Sequence, residues 1–341
     1  MKTILSFQYL LYFINPSKTS NRFIKKYSKI IYLTFFLFIV VLSKVKLLCK
    51  NINVAYGLND KNTYPTLVSM ISILENASHY TLYTFYLLIG KGLFKKENKA
   101  KILHLEEKYD RCKVIFLEIT NDRFVNVNTK RYPIATYYRL LLPELIEDAN
   151  RIIYLDGDTI VFTDLSEMIN LQMKNNIILG FVDRDYKRAK KFHINTYKYI
   201  TCGVLLMNLK KMRKEKISQK FLDFIFHNKN KLYQEDQTVI NIVLNGRIGL
   251  LPPKFGIWNF ASRRDLISHN NYGNKNLNIT AYNENEMIMA WKAPSIIHFV
   301  RIKPWKNEKQ KRILKKFKEK WWEYARKSDE YYNILKCYNN S

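Results

Sequence analysis

Short apolar segments typical of β-strands alternate with segments of helical periodicity from residue 52 onward. In residues 64–77, for example, Leu67, Ile71 and Leu74 recur at the spacing of one helix face. Strands separated by helices predict a largely parallel, doubly wound α/β sheet of the Rossmann-like type. The predicted strands are residues 52–58, 80–90, 112–119, 151–162 and 295–300. The further predicted helices are residues 95–110, 136–146, 233–246 and 308–327. Residues 199–213 are predicted to form a strand followed by a helix.

The apolar run at residues 152–155 ends at two aspartates, Asp156 and Asp158, with Gly157 between them. In doubly wound sheets, ligands bind beyond the carboxyl ends of the strands, where these carboxylates are expected. Two carboxylates in a D-x-D arrangement suit a hard divalent cation, and the glycine allows a sharp turn and a close approach of a ligand. Buried carboxylates would otherwise be costly without a positive partner.

The D-x-D motif alone leaves three interpretations open. It could bind a metal-bridged nucleotide diphosphate, as in nucleotide-sugar glycosyltransferases. It could belong to a haloacid-dehalogenase-like phosphatase, which also uses an apolar strand followed by D-x-D-x-T. It could be an Asp-Gly turn with solvated carboxylates. The phosphatase strand normally opens its domain, whereas α/β-patterned residues 52–150 precede it here.

The segments around the D-x-D motif favour the first interpretation. In chain order they are VAYGLND, YPTLVSMISILEN, ATYYRLLLPEL, RIIYLDGDTIV, LGFVD, CGVLLMNLKKMR, EDQTVIN and IIHF followed by KPW, within residues 52–306. Together they resemble glycosyltransferase family 8, the retaining family that includes glycogenin, bacterial lipopolysaccharide galactosyl- and glucosyltransferases and galactinol synthase. The resemblance implies a GT-A fold, a UDP-sugar donor, Mn²⁺ and transfer with retention at the anomeric carbon.

The resemblance also implies a metal site. Asp156, Asp158 and His298 match the family's metal ligands, and Asp156 would also approach the donor ribose. An imidazole beside two carboxylates suits Mn²⁺ better than Mg²⁺ or Ca²⁺. Lys303 matches the lysine that binds the diphosphate, where it would stabilise the charge of the departing UDP.

The remaining matches concern the donor and the reaction centre. Asn59 and Asp60 would face the uridine, and Arg139 would lie near the donor phosphates or sugar. Asp183 matches a carboxylate that binds the hydroxyls of the donor sugar. Asp236 and Gln237 match the pair beneath the anomeric centre. Because an amide is a poor nucleophile, a same-face substitution through an ion pair is favoured over a covalent intermediate.

Two positions depart from the family pattern. Thr201 stands where the family usually has an asparagine associated with sugar or acceptor contacts. The segment HFVRIKPW is one residue shorter than the family pattern and lacks its glycine, which changes the loop that carries Lys303. These departures keep a catalytically silent UDP-sugar-binding protein as an alternative to an active transferase.

The chain has 57 Lys and Arg residues against 29 Asp and Glu residues, a net charge of +28. Such a charge attracts anions such as phosphorylated substrates or lipid head groups, and a solvated Lys-rich surface explains it equally well. No zinc-finger spacing or aromatic RNA-binding signature is present, so no nucleic-acid partner is expected. The cysteines lie far apart without a C-x-x-C pair, which argues against a zinc site or a thioredoxin-like motif.

Both ends of the chain suggest contact with a membrane surface. Residues 30–43 are apolar and flanked by basic residues, although a full span needs about 20 apolar residues. Residues 308–327 predict a basic amphipathic helix with Ile313, Phe317 and Trp321 on one face, which either lies on an anionic membrane or packs on the core.

The predicted organisation is an N-terminal segment at 1–50, a candidate membrane anchor, a GT-A domain at 51–306 and a C-terminal helix at 307–341. The expected location is membrane-associated, either single-pass type II in the secretory pathway or Golgi, or peripheral on the cytoplasmic membrane face. The expected reaction moves galactose or glucose from a UDP-sugar to a glycan, lipid-linked or protein acceptor.

Overall fold

The structure is a computed structural model. It describes residues 50–124, 127, 133–183, 186–194, 198–228, 235–258, 281–300, 302–306 and 312–339. The predicted N-terminal apolar segment at residues 30–43 lies outside these ranges. In the described part of the chain, no helix combines the length and apolar character that crossing a bilayer requires.

Two sheets organise the described residues. The large sheet has the order β3-β2-β1-β4-β7-β6-β8, and a small sheet has the order β5-β10-β9. The strands are β1 (Lys50–Leu58), β2 (Thr81–Gly90), β3 (Cys112–Ile119), β4 (Ile152–Leu155), β5 (Thr159–Val161), β6 (Ile178–Val182), β7 (Ile200–Met207), β8 (Ile248–Leu250), β9 (Ile257–Trp258) and β10 (Ile296–His298).

The predicted α/β architecture with a mostly parallel sheet is confirmed. The pairs β1/β4, β2/β3 and β6/β8 are parallel, and β7 runs antiparallel to both β4 and β6. Strand β1 sends Ile52, Val54 and Tyr56 to one hydrophobic cluster and Ala55 to another. Burial on both faces explains why the strands read as continuous apolar runs.

The single strand predicted at residues 151–162 is wrong in its continuity. The chain leaves the large sheet after β4, turns at Gly157 and enters the small sheet as β5. The Asp156 amide still donates to the Gly203 carbonyl at 2.8 Å, and the Thr159 hydroxyl donates back to the Asp156 carbonyl at 2.9 Å. These bonds close a tight turn, so the two aspartates connect the two sheets.

The helices predicted at residues 64–77, 95–110, 233–246 and 308–327, and at the end of residues 199–213, are present to within a few residues. The helices are α1 (Thr63–Glu75), α2 (Lys96–Lys108), α3 (Leu142–Leu145), α4 (Ser166–Ile169), α5 (Tyr186–Lys191), α6 (Leu209–Lys214), α7 (Ile217–His227), α8 (Glu235–Val243), α9 (Glu284–Lys292), α10 (Arg312–Arg326) and α11 (Tyr331–Asn339). The sequence did not predict α4, α5, α7, α9 and α11. The helix predicted at residues 136–146 begins instead as a 3-10 helix, Ile134–Leu141, before α3.

The C-terminal helix α10 packs on the core, which decides between its two predicted environments. Phe317 and Trp321 are buried, and the ring of Phe317 lies 6.5 Å from that of Phe162. Trp321 also contacts Trp305, with ring centroids 5.1 Å apart. This apolar face is therefore covered by the protein itself.

Candidate active site

The candidate site lies where the ends of β4, β5 and β10 meet. Asp156 follows β4, Asp158 precedes β5, and His298 ends β10. Because β10 pairs antiparallel with β5, His298 lies opposite Thr159, next to Asp158. A further bond from the Phe299 amide to the Asp158 carbonyl, at 2.9 Å, extends this pairing. The small sheet thus brings a histidine from late in the chain to the D-x-D turn.

The three predicted metal ligands form one cluster. His298 Nε2 lies 3.1 Å from Asp158 Oδ1 and 3.7 Å from Asp156 Oδ2. One ligand atom from each residue falls within 4.8 Å of the others, and this is the arrangement a single divalent ion requires. Gly203 makes room for the imidazole, since a Cβ there would lie 2.0 Å from His298 Cε1. These residues fit a divalent metal ion by donor type and by spacing.

Lys303 reaches the same cluster despite its shortened loop. Its ammonium contacts Asp158 Oδ2 and donates to the Phe299 carbonyl at 2.6 Å. Burial alone would raise the pKa of Asp158, but the charges of Lys303 and His298 outweigh it and hold that pKa below its ordinary value. Asp158 is therefore ionised and able to bind a cation.

Arg139 is buried beneath the cluster and joins two carboxylates. Its guanidinium lies 2.9 Å from Asp156 Oδ1 and 3.1 Å from Asp236 Oδ2. It also donates to the carbonyls of Thr136 and Cys202. Burial opposes the charge on Arg139, but the nearby carboxylates raise its pKa, so it stays protonated. The predicted donor-side arginine is thus a fixed positive centre within the site.

Tyr154 supports this arginine from strand β4. The guanidinium carbon lies 4.0 Å from the centre of the Tyr154 ring, and the Tyr154 hydroxyl accepts a bond from the Gly57 amide at 3.1 Å. Gly57 must be a glycine here, because a Cβ would lie 2.6 Å from the Ala135 carbonyl oxygen. The backbone of Gly57 thus packs closely against Ala135 and the Tyr154 hydroxyl.

Asp236 and Asp183 form the other side of the site. Burial raises the pKa of Asp236 to about 6, while the charge of Arg139 opposes this rise. Gln237, the next residue on α8, donates to Asp183 Oδ2. Asn241 holds this turn of the helix by donating to the Gln237 carbonyl at 2.9 Å and to the Ile200 carbonyl at 2.8 Å. The structure therefore brings Gln237 into contact with Asp183 and places Asp236 beside Arg139, and the roles of these residues toward a donor sugar stay predictions.

Asn59 and Asp60 follow β1, but their side-chain oxygens are used locally. Asn59 Oδ1 accepts the Asn62 amide at 3.1 Å as the cap of a short 3-10 helix. Asp60 Oδ1 accepts the Asn98 side chain at 2.6 Å and the Lys95 amide at 3.1 Å. These bonds give both residues a structural role, and their contact with a uridine stays a prediction.

Two buried hydroxyls near the site have no hydrogen-bond partner among the described residues. The Thr66 hydroxyl lies over the D-x-D turn, where a Cβ on Gly157 would come within 2.3 Å of it. Thr201 lies on β7, two residues before Gly203, and alternation along the strand places both on one face. Thr66 gave no signal in the sequence beyond its place in an apolar helix.

The chain matches known proteins over most of its length. A family model described as glycosyl transferase family 8 matches residues 53–309. A Haemophilus influenzae protein named as a candidate glycosyltransferase is 32% identical over 212 residues, 60% of this chain and 62% of that protein. The lipopolysaccharide 1,2-glucosyltransferase of Escherichia coli K12 is 26% identical over 234 residues, 65% of this chain and 67% of that enzyme.

A solved structure agrees in fold. The galactosyltransferase LgtC, in complex with donor and acceptor sugar analogs, superposes with a TM-score of 0.67 at 19% identity, over 83% of this chain and 100% of LgtC. This likeness confirms the predicted GT-A fold. Since the family model covers well over half of the sequence, the chain belongs to glycosyltransferase family 8.

Proposed function

We propose that this protein transfers a hexosyl group, galactose or glucose, from a UDP-sugar to an acceptor hydroxyl with retention and with the help of Mn²⁺. The observation that carries the proposal is the cluster of Asp156, Asp158 and His298 at the junction of the two sheets. It is a site for a hard divalent ion at the strand ends, where α/β sheets bind their ligands.

Asp156, Asp158 and His298 would hold the metal, and Lys303 and Arg139 lie within contact of its ligands. A bound divalent ion neutralises charge on a leaving diphosphate. Lys303 would add a second positive charge to the same leaving group, and Arg139 would keep Asp156 oriented. Positive groups placed in advance where negative charge develops are a major source of catalysis.

The Asp183–Gln237 pair would contact the donor sugar. Because an amide is a weak nucleophile, Gln237 would position or stabilise the sugar cation rather than attack it. The acceptor hydroxyl would then attack from the face that UDP leaves, and its proton would pass toward the departing phosphate. Asp236 is close to Arg139 and would stabilise positive charge beneath the anomeric centre when ionised.

The choice of galactose or glucose rests on sequence similarity to the E. coli lipopolysaccharide 1,2-glucosyltransferase and to a lipopolysaccharide 1,3-galactosyltransferase of Salmonella typhimurium. The acceptor is proposed as a glycan, a lipid-linked sugar or a protein. Residues 185–200 and 255–285 are the candidate acceptor regions, and within them residues 185, 195–197 and 259–280 lie outside the described ranges. Screening acceptors with the preferred donor would identify the class.

The test is a panel of UDP-sugars with Mn²⁺, in which UDP release is followed for the full chain. We expect one UDP-hexose to be turned over, and Asp158→Asn to reduce turnover by at least 100-fold because it removes a charged metal ligand. Asp110→Asn, an exposed carboxylate in the turn between α2 and β3, is the matched control and should change nothing.

Each alternative has a distinct outcome in this experiment. Turnover that is unaffected by Asp158→Asn would remove the metal assignment. Hydrolysis of p-nitrophenyl phosphate without UDP binding would favour the phosphatase alternative. Binding of UDP without release from any UDP-sugar, over a full acceptor panel, would favour the catalytically silent binding protein.

Association with a membrane surface is a separate part of the proposal. It rests on the apolar residues 30–43 and their basic flanks. Cell fractionation of the full chain, followed by washes in high salt and then in alkaline carbonate, tests it. A peripheral protein is released by one of these washes and a spanning protein by neither, whereas recovery in the soluble fraction would contradict both.

A further inference from the structure

The two aspartates of the D-x-D turn have different positive partners. Asp156 is paired with Arg139, which is 3% exposed and donates to two backbone carbonyls as well. Asp158 is paired with Lys303, whose side chain is 25% exposed. A buried guanidinium with several hydrogen-bond partners is fixed, whereas a partly exposed ammonium on a flexible side chain can move. Only Asp158 therefore has a cation that can leave.

The backbone that carries Lys303 is held on both sides. Before it, the Phe299 amide bonds to the Asp158 carbonyl at 2.9 Å. After it, the Pro304 carbonyl accepts a bond from Trp322 at 3.2 Å, and Trp305 packs against Trp321. The ammonium donates to the carbonyls of Phe299 and Val300, at 2.6 and 3.4 Å, within its own shortened loop. The Lys303 side chain is thus folded back onto Asp158 through its bonds to the carbonyls of Phe299 and Val300.

A divalent ion bound by Asp156, Asp158 and His298 would use the carboxylate that Lys303 now contacts. One carboxylate can bridge two cations, but the two cations repel each other over a few ångströms. In a partly exposed site this repulsion lowers the affinity for the divalent ion about tenfold or more. A lysine at this place would therefore weaken metal binding.

We propose that Lys303 is an exchangeable counter-cation of Asp158 that competes with the divalent ion, so that metal entry frees its ammonium to bind the donor diphosphate. The inference rests on the proposed function and deepens it by coupling the metal site to the donor site. Because such coupling is reciprocal, a bound diphosphate that holds the freed ammonium also tightens metal binding.

The test measures Mn²⁺ affinity by the electron paramagnetic resonance signal of free Mn²⁺, with and without UDP, on the full chain. Lys303→Met removes the charge and keeps the length of the stem, and Lys303→Arg keeps the charge. Lys320→Met, in a surface pair with Glu323 on α10, is the matched control for loss of one positive charge. If Lys303→Met does not fold, Lys303→Gln replaces it, and thermal unfolding checks that this variant is folded.

We expect Lys303→Met to bind Mn²⁺ alone about tenfold more tightly than the wild type, and UDP in saturating Mn²⁺ about tenfold more weakly. Lys303→Arg and Lys320→Met should stay within about twofold of the wild type for Mn²⁺ alone. Opposite changes in the two affinities support the exchange, because a lysine with only a structural role would weaken both.

If the wild type binds Mn²⁺ normally and Lys303→Met binds it no more tightly, this inference is overturned and the proposed function stays intact. Failure of both the wild type and Lys303→Met to bind Mn²⁺ would overturn the metal assignment and this inference together.

Discussion

Replacing Arg139 with methionine should strongly destabilise this protein, and by an amount that depends on pH. The guanidinium is 3% exposed and lies 2.9 Å from Asp156 and 3.1 Å from Asp236. Methionine fills similar space without a charge. Removing one partner of a buried ion pair typically costs about 3–5 kcal/mol, because the other charge stays buried.

The two carboxylates should contribute unequally to this cost. The Asp156 side chain is 32% exposed and can be solvated, whereas the Asp236 side chain is 10% exposed. Even with Arg139 present, the pKa of Asp236 is raised from 3.8 to about 6. A rise of that size corresponds to about 3 kcal/mol against the ionised form. Without the opposing charge of Arg139, the pKa should rise further.

The sign of the pH dependence follows from this rise. A carboxyl whose pKa is higher in the folded state stabilises the fold below its unfolded pKa, and this contribution is lost as pH rises through the folded value. In Arg139→Met the pKa of Asp236 is higher, so this loss of stability continues to higher pH than in the wild type. The destabilisation should therefore be larger at pH 8 than at pH 5, by about 1–3 kcal/mol.

The assay is equilibrium unfolding in urea at both pH values, with midpoints and slopes compared. The variants are Arg139→Met, Asp236→Asn and the double variant, which form a double-mutant cycle. The double variant should recover part of the stability that Arg139→Met loses at pH 8, because no ionised carboxylate remains buried at position 236. Equal destabilisation at pH 5 and pH 8, with no recovery in the double variant, would refute the reasoning.

Three further predictions concern other parts of the fold. Gly203→Ala should displace the His298 ring, since the new Cβ would lie 2.0 Å from it, and should weaken Mn²⁺ binding about tenfold or more in calorimetry. Normal affinity would mean that His298 is not a ligand. Trp321→Ala should cost about 3–5 kcal/mol in urea unfolding, because this indole is fully buried, and a loss below about 1 kcal/mol would contradict its place in the core. Asp60→Ala should cost about 1 kcal/mol through the lost bond to the Lys95 amide before α2, and a weaker binding of UDP without any change in stability would contradict this structural role.

The predictions that succeeded from sequence depend on neighbouring residues. Periodicity places β1, α1 and β3 because a strand or a helix with a buried face must repeat its apolar residues at a fixed interval. The strand before Asp156 is visible for the same reason. The order of the motifs along the chain carries the family resemblance, which the family model confirms.

One wrong prediction and one that the sequence left open both occur where the tertiary structure goes beyond the local pattern. The sequence TIVF after the D-x-D motif is as strand-like as IIYL before it, so the passage from one sheet to the other has no signal of its own. The face of α10 with Phe317 and Trp321 has the same sequence whether it meets lipid or protein. Both environments remove apolar surface from water, and only the fold shows which of them is present.

The sequence by itself determined the α/β class and the position of Asp156 and Asp158 at a strand end, and through the family resemblance it predicted the residues that a family 8 transferase would use. The tertiary structure decided what those residues contact. Pairing of β5 with β10 brings His298 to Asp158, burial places Arg139 between two carboxylates, and Lys303 folds back onto Asp158. These contacts join residues far apart in the chain, so they depend on strand register and burial rather than on local spacing.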